Sequence, residues 1–462
     1  MSLTTQSSTQ NLFFKASEKR EFSEVLNEVQ TYISKNYASL VTDGLNNINT
    51  GDDTVKQKLK NYIGKYLLDQ RLSVEGLSQA ELVNELYSEM AEFSFLTKYI
   101  FGTGIEEINI NSWDDVEVQY SNGTNVRLKE KFDSPDHAIN IVRRMLHVSG
   151  MVLDNTSPAI LGHLSKNIRI AVLKTPLVDE DVGVAASIRI VNAQKLQKED
   201  FINSGTATDD MMELLSALVR YGVSMTVAGA TSSGKTTLTG WILTTIPYEK
   251  RIFTIENGSR ELDLIVRDAE GNIQNQVVHT ITRELEEERK STSQDDLLDI
   301  ALRFHPDYIV VGEMRSSEAD SAQEAARTGH TVITTIHSNS CESTWRRMVT
   351  LCKRKYPNVD DNVILNLVTE AFPIVVYAKR LENKQRRIME IMECEICPDG
   401  TRKYHSLYQY KISENRMENG KFIVNGEHEK IEEISESLQR RLLENGMPQS
   451  ELDAIMKVGK SA

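Results

Sequence analysis

From Glu21 to about Lys98 apolar residues recur three and four positions apart, as in Phe22, Val25, Leu26 and Val29 and again in Leu82, Val83, Leu86 and Met90. That spacing lines one face of a helix, and residues 21–100 read as a helical segment. The residues before it, 1–20, are rich in Ser, Thr, Gln and Lys, have only Leu12 to Phe14 as an apolar run, and read as a flexible arm. Near Ile105 the period falls to two: Ile108, Ile110, Val116, Val118 and Tyr120 alternate with polar residues, and Asn122-Gly123 offers a hairpin turn before Val126 and Leu128. A helix from Ser134 to about Gly150 and strands at Ile168–Val172 and Val184–Ile190 complete a small α+β domain over 101–193.

Residues 194–209 are polar and mark a linker, after which strand and helix alternate in the manner of a parallel sheet covered on both faces. Strands are expected at Ser224–Ala228, Arg251–Ile255, Tyr308–Val311, Val332–Thr335 and Ile374–Ala378 within an α/β domain over 210–415. A helix from Glu318 to Thr328 has Ser317 and Asp320 as its expected capping box and Gly329 as its stop. Residues 416–462 are charged, and Ile431, Ile434, Leu438 and Leu442 predict an amphipathic helix packed on its own domain.

Length and composition narrow the class. A chain of 462 residues, 40% hydrophobic and 26% charged, suits two or three folded domains and is too apolar for a disordered protein. The net charge of −14 gives no global reason to bind nucleic acid or anionic lipid. No apolar run reaches membrane-spanning length and the polar start lacks a signal peptide's core, so a cytoplasmic protein is expected. The four cysteines make no disulfide framework. Cys394 and Cys397 form one CxxC, which lacks the further pair of ligands that tetrahedral zinc needs, and two reduced thiols near a hairpin is the expectation. Mixed charges over Glu284 to Lys290 read as a solvated face or loop.

Gly229-Ala230-Thr231-Ser232-Ser233-Gly234-Lys235-Thr236 matches the P-loop pattern G-x-x-x-x-G-K-[ST], between an apolar strand and an apolar helix. Backbone N–H groups and the helix dipole would cradle phosphates, Lys235 would neutralise the terminal ones, and Thr236 would offer its hydroxyl to Mg²⁺. Thr237 follows in the same turn. Bound ATP still requires an acidic group near a strand end for hydrolysis, and Tyr308-Ile309-Val310-Val311-Gly312-Glu313 presents Glu313 there, both as a catalytic carboxylate and as a metal partner.

The stretch Pro306 to Arg315, an apolar strand ending Gly-Glu-Met-Arg, resembles the atypical Walker B of the type II/type IV secretion and pilus-assembly ATPase superfamily. Thr254 to Glu261 is similar to that superfamily's acidic box, with Glu256 fitting a catalytic role and Asn257 departing from the usual carboxylate. Thr328 to Ser338 is similar to its histidine box, which implies γ-phosphate sensing by His337 and places His330, with Arg315, among the nucleotide-binding residues. Ile108–Asn111, Pro158 and Leu164–Val172 look like the segments before the motor in the CpaF/TadA-like branch, where His163 stands at a usual arginine. That branch implies that Arg189, and less directly Arg169, reach the phosphates from the N-terminal domain.

The resemblance implies a RecA-like ATPase domain and an ATP- and Mg²⁺-dependent motor of a bacterial secretion, pilus or conjugation system. It also implies a homo-oligomer, a hexameric ring, acting on a polytopic inner-membrane protein without direct nucleic-acid contact. Two rival readings are a nucleotide-gated scaffold with little turnover, for which Asn257 is the argument, and a DNA translocase, which the acidic balance opposes.

Overall fold

The computed structural model describes residues 18–47, 53–121, 123–148, 150–165, 168–190, 196–258, 260–283 and 291–457. The chain divides into two compact units, residues 1–190 and 191–462.

The first unit opens with β1 (Glu18–Arg20), α1 (Phe22–Asn47), α2 (Asp53–Gln70), β2 (Leu72–Val74) and α3 (Gln79–Ala91), β1 pairing parallel to β2. The three helices bury Val25, Val29, Leu59, Ile63, Leu82 and Leu86 together, the face that the spacing of apolar residues predicts. A short α4 (Thr97–Ile100) leads into β3 (Ile105–Ser112), β4 (Asp115–Tyr120), β5 (Asn125–Arg127), α5 (Pro135–Val148), β6 (Ala159–Ser165), β7 (Ile168–Lys174) and β8 (Val184–Ile190). These strands form an antiparallel sheet in the order β5-β4-β3-β8-β7-β6. Alternation along it sends Ile108, Ile110, Ile170, Val172, Val184 and Ile188 into one core with Ile141, Val142 and Met145 of α5.

The second unit is built from α6 (Lys198–Asn203), α7 (Asp209–Arg220), β9 (Met225–Ala228), α8 (Lys235–Thr244), β10 (Arg251–Glu256), β11 (Gln276–Ile281), α9 (Gln294–Ala301) and β12 (Tyr308–Met314). It continues with α10 (Glu318–Arg327), β13 (Thr331–Ile336), α11 (Cys341–Cys352), α12 (Asp361–Ala371), β14 (Ile374–Arg380), β15 (Arg386–Ile396), β16 (Arg402–Glu418), β17 (Lys421–Lys430), α13 (Glu436–Glu444) and α14 (Gln449–Lys457). Its sheet runs β11-β10-β12-β13-β9-β14-β15-β16-β17, parallel from β11 through β14 and antiparallel beyond. Adjacent residues face opposite cores. Val227, Val310 and Ile333 meet α7, α8 and α13 on one side, while Ala228, Val311 and Val332 meet α9 through α12 on the other. The result is an α/β domain of three layers whose five expected central strands all appear.

Several expectations need correction. The stretch 194–209 is not a bare linker, because Lys198–Asn203 is helical and Phe201 packs into the core beside Trp241. Residues 402–430 are a long β-hairpin extending the sheet, so the domain boundary at 415 falls inside a strand and the tail is not wholly helical. Ile431 precedes the helix and is exposed, whereas Ile434, Leu438 and Leu442 do pack on the domain's own core. The Ser317–Asp320 capping box does not form: Ser317 Oγ donates instead to Asp295 Oδ2 at 2.8 Å, and α10 lacks a side-chain cap. Strands β6 and β11 were not expected. Asn122 and Glu284 to Lys290 lie outside the described residues, as does most of the 1–20 arm, whose last three residues form β1. Cys394 is buried on β15 and Cys397 sits in the following turn; no cluster of three or more His, Cys, Asp or Glu side chains placed to hold a metal ion occurs among the described residues. No helix among them is long and apolar enough to cross a membrane.

Candidate functional site

A parallel sheet gathers its ligand-binding groups at the carboxyl ends of its strands, and four of these ends carry the expected chemistry. Strand β9 runs into the P-loop, its neighbour β13 ends at His337, β12 ends near Glu313 and β10 ends in Glu256.

The P-loop geometry follows from its glycines. A Cβ on Gly229 would stand 2.2 Å from Ala378 O and 2.5 Å from Ser233 Oγ, so only glycine allows the loop to leave β9 against β14. The chain then turns through Ser232, at φ +61°, and Gly234, at φ +92°, before α8 begins at Lys235. Ala230, Thr231 and Thr237 are exposed and Thr236 is half-buried. Lys235 is buried, its Nζ donating to Ala230 O at 2.8 Å. A neutral carbonyl is a weaker partner for an ammonium than a phosphate would be. Ser233 Oγ is buried with no hydrogen-bond partner, an unused polar group inside the cradle.

Glu313 owes its position to an irregularity. Val311 pairs with Thr334 and Met314 with Ile336, so β12 carries one residue more than β13 between those pairs, a bulge at Gly312-Glu313. Gly312 fits there because a Cβ would come within 3.3 Å of Ile255 O. Thr335 Oγ1 donates to Gly312 O at 2.6 Å and Gln294 Nε2 to Glu313 O at 3.3 Å, fixing the bulge from both sides. The Glu313 side chain accepts from Arg315 Nη2 at 2.6 Å through Oε2. Its Oε1 is 3.0 Å from His337 Nε2, in ion-pair range but out of line, and has no hydrogen-bond partner. Burial opposes ionisation of Glu313, but the Arg315 hydrogen bond and charge, with His337 and Lys235 adding to them, hold its carboxyl below the usual range. Burial and the nearby Lys235 charge lower His337, which is therefore neutral at pH 7.

Glu256 is more deeply enclosed. Its Oε2 accepts from Glu261 N at 2.5 Å and Leu262 N at 2.9 Å, closing the loop after β10, while Oε1 is buried without a partner. Burial pushes the carboxyl up to about 7, and the two backbone donors only partly offset it. Asn257 accepts from Thr282 Oγ1 at 2.7 Å, pinned to the end of β11. His279, absent from the sequence-derived set, lies with Nδ1 3.9 Å from Glu256 Oε1 and 2.9 Å from Thr254 Oγ1. Burial drives His279 down to about 4.

The sheet therefore brings together Lys235, Glu313, Arg315 and His337, with Glu256 one strand beyond. It does not bring His330. That residue precedes β13 while His337 follows it, and six strand residues at about 3.3 Å each put the two roughly 20 Å apart. Arg189 and Arg169 belong to the first unit, where they face each other across β8 and β7 on the side away from the core, Arg189 being exposed. His163 lies on β6 opposite Arg169. Arg386, which no phosphate motif marks, donates from Nε to Ser232 O at 3.1 Å. Its only trace in the sequence is a basic pair just after a polar turn.

A P-loop at the end of a parallel strand, with an ionised glutamate two strands away, defines a P-loop nucleotide-binding protein of α/β architecture. The family model described as "Type II/IV secretion system protein" matches residues 159–456, more than half of the chain, and the chain belongs to that family. Its relatives include an uncharacterized protein of Methanocaldococcus jannaschii, 30% identical over 272 residues, covering 59% of this chain and 46% of the relative. The conjugal transfer protein TrbB of Rhizobium radiobacter is 26% identical over 267 residues, 57% of this chain and 76% of TrbB. The type IV secretion system protein VirB11 of Bartonella quintana is 24% identical over 285 residues, 54% of this chain and 77% of VirB11. The chain thus spans less than half the length of the first of these relatives. Among solved structures, the pilus retraction motor PilT with bound ADP aligns at TM-score 0.44 and 19% identity, covering 78% of this chain and 88% of PilT. The VirB11 ATPase of Brucella suis aligns at TM-score 0.34 and 22% identity, covering 64% and 92%.

Proposed function

We propose that the chain is an ATP-hydrolysing motor of a secretion, pilus-assembly or conjugation machine, of the CpaF/TadA-like kind, working as a ring of six copies on a polytopic membrane protein. The observation that carries this reading is the meeting of a phosphate cradle with an ionised carboxylate. Lys235 is buried at the start of α8 with its Nζ on the Ala230 carbonyl inside the loop, Ser233 Oγ is buried without a hydrogen-bond partner, and Glu313 sits close enough to feel the Lys235 charge.

The residues fit Mg²⁺ as well as nucleotide. Thr236 supplies a half-buried hydroxyl at the start of α8, and Glu313 Oε1 is an orphaned carboxylate oxygen, both hard donors of the kind Mg²⁺ takes directly or through water. When bound, the ion would neutralise charge on the terminal phosphates. Lys235 would exchange its carbonyl for a phosphate oxygen, Glu313 would orient and deprotonate the attacking water, and neutral His337 would donate toward the γ-phosphate or Glu313 according to whether the phosphate is present. Arg189 and Arg169, which the family resemblance implies as phosphate ligands, lie opposite each other on one sheet face of the first unit, and ATP binding that favours one conformational state would be released by hydrolysis.

The decisive measurement is nucleotide binding and steady-state phosphate release by the wild type and Lys235→Ala. Loss of an ammonium that pairs two phosphates is expected to weaken ATP binding by roughly a hundredfold and abolish turnover. Undiminished binding in the variant would sink the reading, and binding without turnover in the wild type, membrane partner included, would leave a nucleotide-gated scaffold.

A further inference from the structure

We infer that Arg386 is a positioning residue for the phosphate cradle, holding the P-loop backbone from outside so that its amides face the phosphates. The inference deepens the nucleotide-binding reading and rests on it. The hairpin of β14 and β15 brings Arg386 to the loop: β14 pairs parallel with β9, Tyr377 opposite Ala228, and Arg386 opens β15 opposite Arg380. Contact is close on two sides. Arg386 Nε donates to Ser232 O at 3.1 Å, and a Cβ on Gly234 would stand 3.1 Å from Arg386 Cδ.

Ser232 is the residue that most needs such a hold. It is not glycine, yet its φ is +61°, a left-handed conformation that costs a side-chain-bearing residue free energy unless its surroundings impose it. A trans peptide is planar, so fixing the Ser232 carbonyl toward Arg386 directs the Ser233 N–H the opposite way, into the loop. That N–H does point inward, to Ala230 O at 3.3 Å, the same carbonyl that receives Lys235 Nζ. One guanidinium thus fixes the peptide whose N–H, together with Lys235, would meet a phosphate, and it places a positive charge on the loop's outer side. Its neighbour Arg387 turns to the other face of the strand, where its Nη1 donates to Ser204 O at 2.9 Å and its guanidinium lies 5.6 Å from the Tyr410 ring centroid. The two arginines are adjacent but hold different things.

The test compares ADP and ATP binding, turnover and melting temperature in the wild type, Arg386→Gln, Arg386→Lys and Arg387→Gln. Arg386→Gln is expected to raise Kd for both nucleotides and KM for ATP about tenfold, with kcat within about twofold, as removal of uniform binding requires. Arg386→Lys, which has no Nε–H to offer, is expected to lose about threefold. Arg387→Gln should lower the melting temperature while leaving the nucleotide Kd unchanged. If Arg386→Gln does not fold, Arg386→Lys supplies the reading by itself. Wild-type affinity in a folded Arg386 variant, or an equal loss of affinity in Arg387→Gln, would overturn the inference while leaving the nucleotide-binding reading intact. Only failure of the wild type to bind either nucleotide would remove both.

Discussion

Strands β10 and β12 lie side by side and each brings a glutamate to the same end of the sheet, but the two carboxyl groups meet opposite conditions. Glu256 continues a regular strand and points into the protein, where burial raises it to about 7. Glu313 sits on a bulge that turns it toward Arg315, His337 and Lys235; the Arg315 hydrogen bond and charge, with the other two neighbours adding to them, outweigh its burial and keep it ionised. One inserted residue thus separates a carboxylate that stays ionised from one that stays protonated until the solution is nearly neutral. Glu313, ionised near the P-loop lysine, is the glutamate that the proposed mechanism sets against the attacking water, while Glu256 closes the 261–262 loop through its Oε2.

The sharpest way to break this contrast is to remove charge from each carboxylate in turn. Glu313→Gln should retain nucleotide binding and lose turnover by about a thousandfold, the cost of removing a general base, roughly 4 kcal/mol. Phosphate-release kinetics with ADP and ATP affinities as controls check it. Turnover within tenfold of the wild type would transfer the catalytic role elsewhere.

Glu256→Gln should act on stability, with a sign set by pH. The folded-state value of about 7 lies above the ordinary 4.5, so the native protein holds this proton more tightly than the unfolded chain, and stability is lost as pH rises from 4.5 through 7. The shift corresponds to on the order of 3 kcal/mol above pH 7, which glutamine avoids. His279 imposes the opposite limb. Its value of about 4 against 6.5 means that folding disfavours its protonation, so stability is lost as pH falls from 6.5 through 4. Near pH 6 both groups are neutral, and their 3.9 Å approach is no ion pair. Denaturant melts from pH 5 to 8.5 should show the wild type weakening on the alkaline side and Glu256→Gln flat there; parallel curves would refute the assignment.

The parts of this arrangement that were legible in the sequence are the local ones. An apolar strand, a glycine-bracketed turn and Lys235-Thr236 are contiguous, and the parallel strands, buried on both faces, are near-continuous apolar runs. Strand β11 escaped notice because Gln276–Ile281 is a half-exposed edge with no buried run. Leu407 to Tyr410 is legible as a closing strand, but the outer half of β16 and all of β17 escaped for the same reason, being mostly exposed beyond Tyr410, while the helical spacing that begins at Ile431 drew the helix too early. His330 and His337 share one motif, but the strand between them carries them to opposite ends of the sheet. The bulge at Gly312, the enclosure of Glu256 and the grip of Arg386 on Ser232 all depend on residues distant in the chain, which periodicity and motif spacing do not encode.

The first unit holds a third carboxylate that sharpens the comparison further, since its histidine partner is a true ion pair. His137 Nε2 lies 2.8 Å from Glu89 Oε2. Burial opposes charge on both groups, but each overrides it in the other: the Glu89 hydrogen bond and charge raise His137, and the His137 and Ser94 hydrogen bonds, aided by charge, lower Glu89. A raised histidine contributes stability that is fully present below pH 6.5 and is lost as pH rises through its elevated value, whereas the depressed Glu89 loses its contribution only in acid. His137→Asn is therefore expected to cost roughly 1 kcal/mol at pH 6 and markedly less at pH 8.5. Glu256→Gln moves in the same direction over that interval, because both groups hold a proton more tightly in the folded protein, but it shows as an advantage that grows toward alkaline pH where His137→Asn shows a penalty that shrinks. Because the two residues lie in different compact units, separate reporters such as hydrogen exchange at α5 and at β10 can follow them in one sample. A penalty for His137→Asn that did not shrink with rising pH would mean that His137 packs as a neutral ring, and the distinction between a paired and a merely adjacent histidine would fail.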